Sequence, residues 1–214
     1  VTVAVSADPA ERSGDPAPAS TRDVRVPTLS AWWLLIAGVV GLFSSMTLTV
    51  EKIDILENPS YVPPCNINPI ISCGSVMATP QESVFGFPNP LLGIVGFTLV
   101  LVVGVLAVTK VPIPQWFWFA LAAGLLVGAG FVHWFIFQSL YRIGALCPYC
   151  MVVWSLIITL LVVVGSIAFR PMLDGGSTAV RLLYQWRWSL TALWFTAVFL
   201  LIMVRFWDYW STLL

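Results

Sequence analysis

Four stretches of this chain run longer without a charge than a water-soluble domain tolerates, and a fifth comes close. Between Arg25 and Glu51 lie 25 uncharged residues, between Glu82 and Lys110 27, between Lys110 and Arg142 31, and between Arg142 and Arg170 27. The fifth stretch, from Arg187 to Arg205, holds 17 and is extended by Phe206, Trp207 and Trp210. A helix crosses the hydrocarbon layer in about 20 residues, and its backbone must be hydrogen-bonded within itself there. The pattern predicts an all-α integral membrane protein with spans at about 30–50, 90–109, 116–140, 147–169 and 188–210. The first four form a four-helix transmembrane bundle, and the fifth lies outside it. Composition agrees, with 59% apolar and 9% charged residues, against about 45–50% and about 25% in soluble domains.

The remaining composition excludes several classes. Ten basic and ten acidic residues balance without a basic cluster, so the footprint for nucleic acid is missing. A single histidine, His133, rules out a His-rich metal or haem site built from this chain alone. Residues 1–28 are rich in Ala, Ser, Pro, Asp and Arg without periodicity and read as a disordered cytoplasmic tail, with the membrane domain over 29–214.

Orientation follows from the basic residues. With the N-terminus in the cytoplasm, Arg12, Arg22, Arg25, Lys110, Arg170, Arg181 and Arg187 lie inside, and Lys52, Arg142 and Arg205 outside. The opposite orientation inverts that ratio, so the positive-inside rule favours an inner N-terminus and an outer C-terminus. Trp32, Trp33, Trp116, Trp118, Trp186, Trp188 and Trp210 sit near span ends, as interfacial aromatic belts do. The longest external segment, 51–89, opens with Ile53, Leu56 and Tyr61 among charges, the pattern of a short helix on the membrane surface. Its prolines then punctuate an irregular cap. Glu51, Asp54, Glu57 and Glu82 could supply protons, but read first as a solvated acidic rim. Gly124, Gly128 and Gly130 in the third span read as sites of close helix packing.

This topology puts all four cysteines on the outer side, where disulfides persist. Cys147-Pro148-Tyr149-Cys150 is a C-x-x-C at a helix start. Pro148 suits the first helical position because its missing N–H would be orphaned there anyway. The helix dipole and free N–H groups favour a thiolate at Cys147, and Cys150 shares its helix face, so a short reversible bridge can form. The first turn also lies at the bilayer rim, within reach of lipid-soluble quinones. Cys65 and Cys73 lie in a Pro-rich loop that reads as mobile. Alone they would be a structural staple; beside an external C-x-x-C they read as the shuttle half of a thiol–disulfide relay. A zinc site built from the four cysteines fits less well, because zinc knuckles favour spacings of about two to four residues in each half.

The run Cys65-Asn-Ile-Asn-Pro-Ile-Ile-Ser-Cys73-Gly-Ser-Val, followed by Phe85-Gly86, Asn89, Gly93 and Cys147-Pro-Tyr-Cys150, resembles the vitamin K epoxide reductase family over roughly residues 30–170. The bacterial DsbB family also pairs quinones with two external cysteine pairs, but carries its C-x-x-C in the first external loop. Many bacterial members of the reductase family carry a thioredoxin-like domain after the fifth helix. This chain stops at Leu214, so the resemblance implies a separate thioredoxin-like (DsbA-like) extracytoplasmic partner.

The resemblance implies a role for each matching residue. Cys65 is similar to the outer shuttle cysteine that exchanges with the partner, and Cys73 to the one that exchanges with Cys147. Cys150 resembles the cysteine that meets a quinone, menaquinone or ubiquinone. Asn89 resembles the asparagine that hydrogen-bonds a quinone carbonyl; a helix-capping asparagine is the alternative. Thr79 stands where the family often has Ser or Thr. Trp154 stands where vertebrate members have Tyr, at the quinone site, and Asn66 where they have Asp. Both departures bear on vitamin K epoxide as a substrate and leave quinone untouched. His133, ionisable and within a span, is a further candidate for a quinone or proton role, although a bond to a neighbouring carbonyl would also account for it. The expected activity is oxidation of a periplasmic dithiol protein coupled to quinone reduction in the cell membrane, supporting disulfide formation. The alternative is a non-enzymatic membrane scaffold with two structural disulfides.

Overall fold

A computed structural model describes residues 23–24, 26–170, 173 and 178–212 of the chain. Of the tail expected over 1–28, residues 1–22 and 25 lie outside the described residues. Asp23–Val24 (β1) pair antiparallel with Ile113–Pro114 (β2) at one end of the molecule. The helices are α1 (Thr28–Glu57), the short α2 (Cys73–Met77), α3 (Pro90–Val108), α4 (Gln115–Gln138), α5 (Pro148–Phe169), α6 (Thr178–Arg205) and the single turn α7 (Trp207–Trp210). Five of them are long and apolar enough to cross a membrane. Side chains such as Phe43, Val95, Val127 and Leu193 stand exposed on their outer faces, which hydrocarbon accepts and water does not.

Helix α1 does not stop where its charges begin. Its 30 residues span about 45 Å, close to a bilayer with its headgroups. Ala31, Leu34, Ala37, Gly38, Gly41, Ser44, Ser45, Leu48 and Glu51 are its buried positions. They recur every three or four residues, as one face of a helix must, and Glu51 simply continues the stripe. The separate surface helix expected after residue 50 is thus the end of α1. Leaving the hydrocarbon does not break a helix whose next turn still has something to pack against. The fifth helix likewise begins earlier than the charge pattern implied, at Thr178, and ends at Arg205.

In the bundle α1 packs on α3 and α5, and α5 packs on α4, with α6 resting outside against α5. The closest approach is between α1 and α3. A Cβ on Gly38 would stand 2.6 Å from the Leu101 Cα, and one on Gly104 would stand 2.6 Å from the Leu35 amide nitrogen. Two backbones this close leave no room for a side chain. The α4 glycines play no such part. A Cβ at Gly124 or Gly130 would meet nothing within 4 Å, and one at Gly128 would touch only Ile157 at ordinary distance.

The end of α4 carries the chain toward the cysteines. Ser139–Ile143 widens into a π-helical turn, and Gly144 closes it at φ 72° with its N–H on the Ser139 carbonyl, a conformation that favours glycine. Arg205 of α6 donates from Nε to the Leu140 carbonyl at 2.9 Å.

Candidate active site: a cysteine junction over an apolar cavity

The external loop is tied down rather than mobile. Asn68 Oδ1 accepts from the N–H groups of Ile70 and Ile71, at 2.9 and 2.7 Å. Asn66 Oδ1 accepts from the Gly74 N–H at 2.9 Å and the Ser72 hydroxyl at 3.0 Å. The residue that departs from the vertebrate Asp is therefore a staple of the loop. Leu146 donates to the Ile70 carbonyl at 2.7 Å and accepts from the Ser72 N–H at 2.9 Å, forming a parallel bridge between Ile71 and Leu146. These bonds join the residues just before Cys73 to the residue just before Cys147.

The consequence is a junction of sulfurs. Cys65 and Cys73 are joined in a disulfide, while Cys147 and Cys150 are free thiols. The Cys147 Sγ lies 3.4 Å from the Cys73 Sγ. Cys147 occupies the N-cap of α5, where its sulfur accepts the Cys150 N–H at 3.5 Å and Pro148 begins the helix. Cys73 and Cys147 are fully buried among Leu48, Ile70, Val76, Leu140 and Leu146. Water is kept from the point of exchange.

Cys150 faces the other way. It lines a cavity of about 500 Å³ bounded by α1, α3, α4, α5 and the cap, within the range of about 300–1,000 Å³ usual for small-molecule sites. The wall is apolar, with Phe85, Phe131, Phe135 and Trp154 prominent in it, and carries four polar residues: Ser45, Glu82, Asn89 and Cys150. Trp154 stands edge-to-face with Phe135. A flat, apolar ring with polar oxygens at its rim fits this mixture of aromatic walls and few polar groups.

Asn89 precedes α3 but makes no side-chain cap bond there. Its Nδ2 donates to the Gln81 carbonyl at 2.7 Å, its Oδ1 accepts from the Val84 N–H, and its backbone N–H donates to the Glu82 carbonyl at 2.8 Å. An amide nitrogen carries two N–H groups, so one donor remains for the cavity. The cap is further held to the upper turns of α1. Tyr61 donates its hydroxyl to Glu51 Oε2 at 3.0 Å, and Lys52 donates to the Met77 carbonyl at 2.5 Å. The bond to Glu51 is the main reason that the Tyr61 hydroxyl is held above its ordinary value.

Two expected features change place. His133 does not line the cavity. Its Nε2 accepts from the Trp194 Nε1 of α6 at 2.8 Å, which puts the ring proton on Nδ1, 2.7 Å from the Ala129 carbonyl. Its side chain thus joins α4 to α6. Glu82 and Glu51 leave the solvated rim, since both are buried, Glu82 to 3% exposure. Burial pushes the Glu82 carboxyl up to about 7, with Lys52 pulling the other way. Nothing in the sequence sets Glu82 apart from the other three acidic residues, because its burial depends on the cap folding back over α1 and α3.

No curated protein sequence matches the chain. Residues 32–165 match the vitamin K epoxide reductase family, a stretch that runs from within α1 to within α5 and holds all four cysteines. With that match covering more than half of its length, the chain belongs to the vitamin K epoxide reductase family, as a membrane thiol–disulfide oxidoreductase.

Proposed function

We propose that the protein takes two electrons from an extracytoplasmic dithiol protein of thioredoxin-like type and passes them to a membrane quinone, so generating disulfides in the partner. The observation that carries this reading is the 3.4 Å approach of the Cys147 sulfur to Cys73. A scaffold held by two separate structural bridges gives Cys147 no reason to abut the Cys65–Cys73 pair, as it does here.

The steps follow from thiol–disulfide exchange through mixed disulfides. A partner thiolate attacks Cys65, breaking the Cys65–Cys73 bond and releasing the Cys73 thiolate. Cys73 attacks Cys147 within an oxidised Cys147–Cys150 bridge, releasing Cys150. The second partner thiol frees Cys65 and leaves the partner oxidised. Cys65 then attacks Cys73 and frees Cys147. The result is a closed loop disulfide and a reduced C-x-x-C, the arrangement present here. A quinone, menaquinone or ubiquinone, supplies a two-electron acceptor when bound in the cavity. Cys150 is the sulfur that faces it, Asn89 offers its spare N–H to a carbonyl oxygen, and Trp154 walls the ring. In this reading the N-terminus is cytoplasmic and the cysteines face outward.

The test is reduction of a short-chain ubiquinone by dithiothreitol, catalysed by the purified full chain in micelles. Turnover by the wild type and its loss in Cys150→Ser are expected. Wild-type turnover in Cys150→Ser, or none in the wild type, overturns the reading.

A further inference from the structure

We propose that Glu82 carries the proton between the Cys150 thiol and the acceptor in the cavity, an assignment that rests on the quinone-linked reading above. Geometry puts it there. Cys150 and Glu82 are the ionisable side chains on the cavity wall among the described residues. Glu82 is almost fully buried and sits on a 3₁₀ turn, Pro80–Ser83, that Asn89 pins from two sides. Asn89 holds the Gln81 carbonyl with its side chain and the Glu82 carbonyl with its backbone N–H. Among the described residues, the Glu82 carboxyl itself has neither a hydrogen bond nor an ion pair.

A buried, unpartnered carboxyl weakens a fold. Its place on the same cavity wall as the Cys150 thiol is the pattern of a group kept for chemistry. Two ionisable groups bear on it, Lys52 from α1 and Cys150 from α5. Burial outweighs Lys52, so the carboxyl titrates at about 7. Acid and base forms are then both populated at neutral pH, where proton transfer is most efficient.

The step balances. The Glu82 carboxylate takes the proton from the Cys150 S–H. The sulfur electron pairs of Cys150 and Cys147 yield one S–S bond and two electrons for the acceptor. The Glu82 carboxylic acid then returns its proton to an acceptor oxygen. Cys147 leaves the loop exchange as a thiolate and brings no proton, so the acceptor takes its second proton from water.

The experiment uses the purified full chain, first without quinone. Cys150 alkylation by N-ethylmaleimide is followed against pH by peptide mass spectrometry. The wild-type profile should bend where Glu82 titrates, Glu82→Asp should keep a bend, and Glu82→Gln should lose it. With dithiothreitol and a short-chain ubiquinone, Glu82→Gln should turn over about 100-fold more slowly with KM little changed, and Glu82→Asp should recover part of the rate. A retained Cys65–Cys73 bridge checks the fold of each variant. An alkylation profile for Glu82→Gln that superimposes on the wild type, or a wild-type turnover rate in that variant, overturns the assignment and leaves the cysteine relay standing. A wild type that reduces no quinone overturns the functional reading, while the alkylation profiles still decide whether Glu82 and Cys150 share a proton.

Discussion

Burying Glu82 should make the protein less stable as pH rises, and Glu82→Gln should abolish that dependence. The carboxyl titrates at 4.5 when exposed and at about 7 in the fold. Between those values the native chain still holds a proton that the unfolded chain has released. Stability changes with pH in proportion to the protons bound by the unfolded state minus those bound by the native state. That difference is negative here, so stability falls as pH rises through this window. Below it both states are protonated and no penalty exists; above it both are ionised and the penalty is complete. At about 1.4 kcal/mol for each pH unit, the full penalty is about 3 kcal/mol. Glutamine has nearly the shape of the neutral acid and does not titrate. The stability difference between variant and wild type should therefore grow from near zero at about pH 4 to about 3 kcal/mol at about pH 9.

The assay is denaturant unfolding in detergent micelles at a series of pH values, followed by the fluorescence of the 11 tryptophans. The comparison needs no quinone and no partner, so it judges the burial argument apart from the proposed function. Parallel stability profiles for the two proteins would refute it. They would mean that water or rearrangement solvates the carboxyl in the native state.

Gly38→Ala and Gly104→Ala should each cost about 1–3 kcal/mol in the same unfolding assay, because backbone atoms cannot move aside. Gly130→Ala, whose methyl group would meet nothing, should cost little, and equal losses at all three would refute the α1–α3 contact. Trp194→Phe should cost about 1 kcal/mol by leaving the His133 Nε2 without its donor, with dithiol-to-quinone turnover unchanged; a turnover as low as that of Cys150→Ser would return His133 to the site. Cys65→Ser should trap a Cys73–Cys147 bond, and Cys73→Ser a mixed disulfide between Cys65 and the partner, both read by non-reducing mass spectrometry. Finding the partner on Cys73 would reverse the two roles. A membrane-impermeant thiol reagent applied to intact spheroplasts after reduction should label the loop cysteines, and labelling only from the cytoplasmic side would invert the proposed orientation.

What the sequence disclosed depends on how local each cause is. Span number is local, since about 20 uncharged residues must find hydrocarbon whatever surrounds them. The C-x-x-C with Pro148 at a helix start is local too, and Cys147 is indeed the N-cap of α5. The order in the external loop is not local. Its prolines suggested mobility, but Leu146 pairs with Ile71 from far along the chain, and the roles of Asn66 and Asn68 as staples appear only once that pairing sets the turn. The same holds for His133, whose partner Trp194 comes from the helix outside the bundle. Helix ends fell between these cases. Glu51 looked like a boundary by its charge, yet it sits on the buried stripe of α1 and receives the Tyr61 hydroxyl.

A loop held in this way changes where the proposed relay must move. If the loop were a mobile arm, the slow step would be the search of Cys73 for Cys147. The Ile71–Leu146 bridge removes that search, because it holds the two sulfurs 3.4 Å apart while the loop disulfide is still closed. Exchange there requires little more than rotation about the cysteine side chains. The outer partner of the pair has the opposite problem. Cys65 is only 7% exposed, and an attacking thiolate must reach its sulfur in line with the S–S bond, opposite the Cys73 sulfur that it displaces. Val62, before Cys65 in sequence, stands 69% exposed, whereas the residues after Cys65 are tied down, Asn66 to Gly74 and Ser72 and the Ile67 N–H to the Ile71 carbonyl. Movement should therefore occur at residues 62–65, ahead of the Asn66 staple and on the side that meets the partner. A substitution that loosens this stretch should speed attack at Cys65, whereas one that breaks the Ile71–Leu146 bridge should slow the transfer from Cys73 to Cys147.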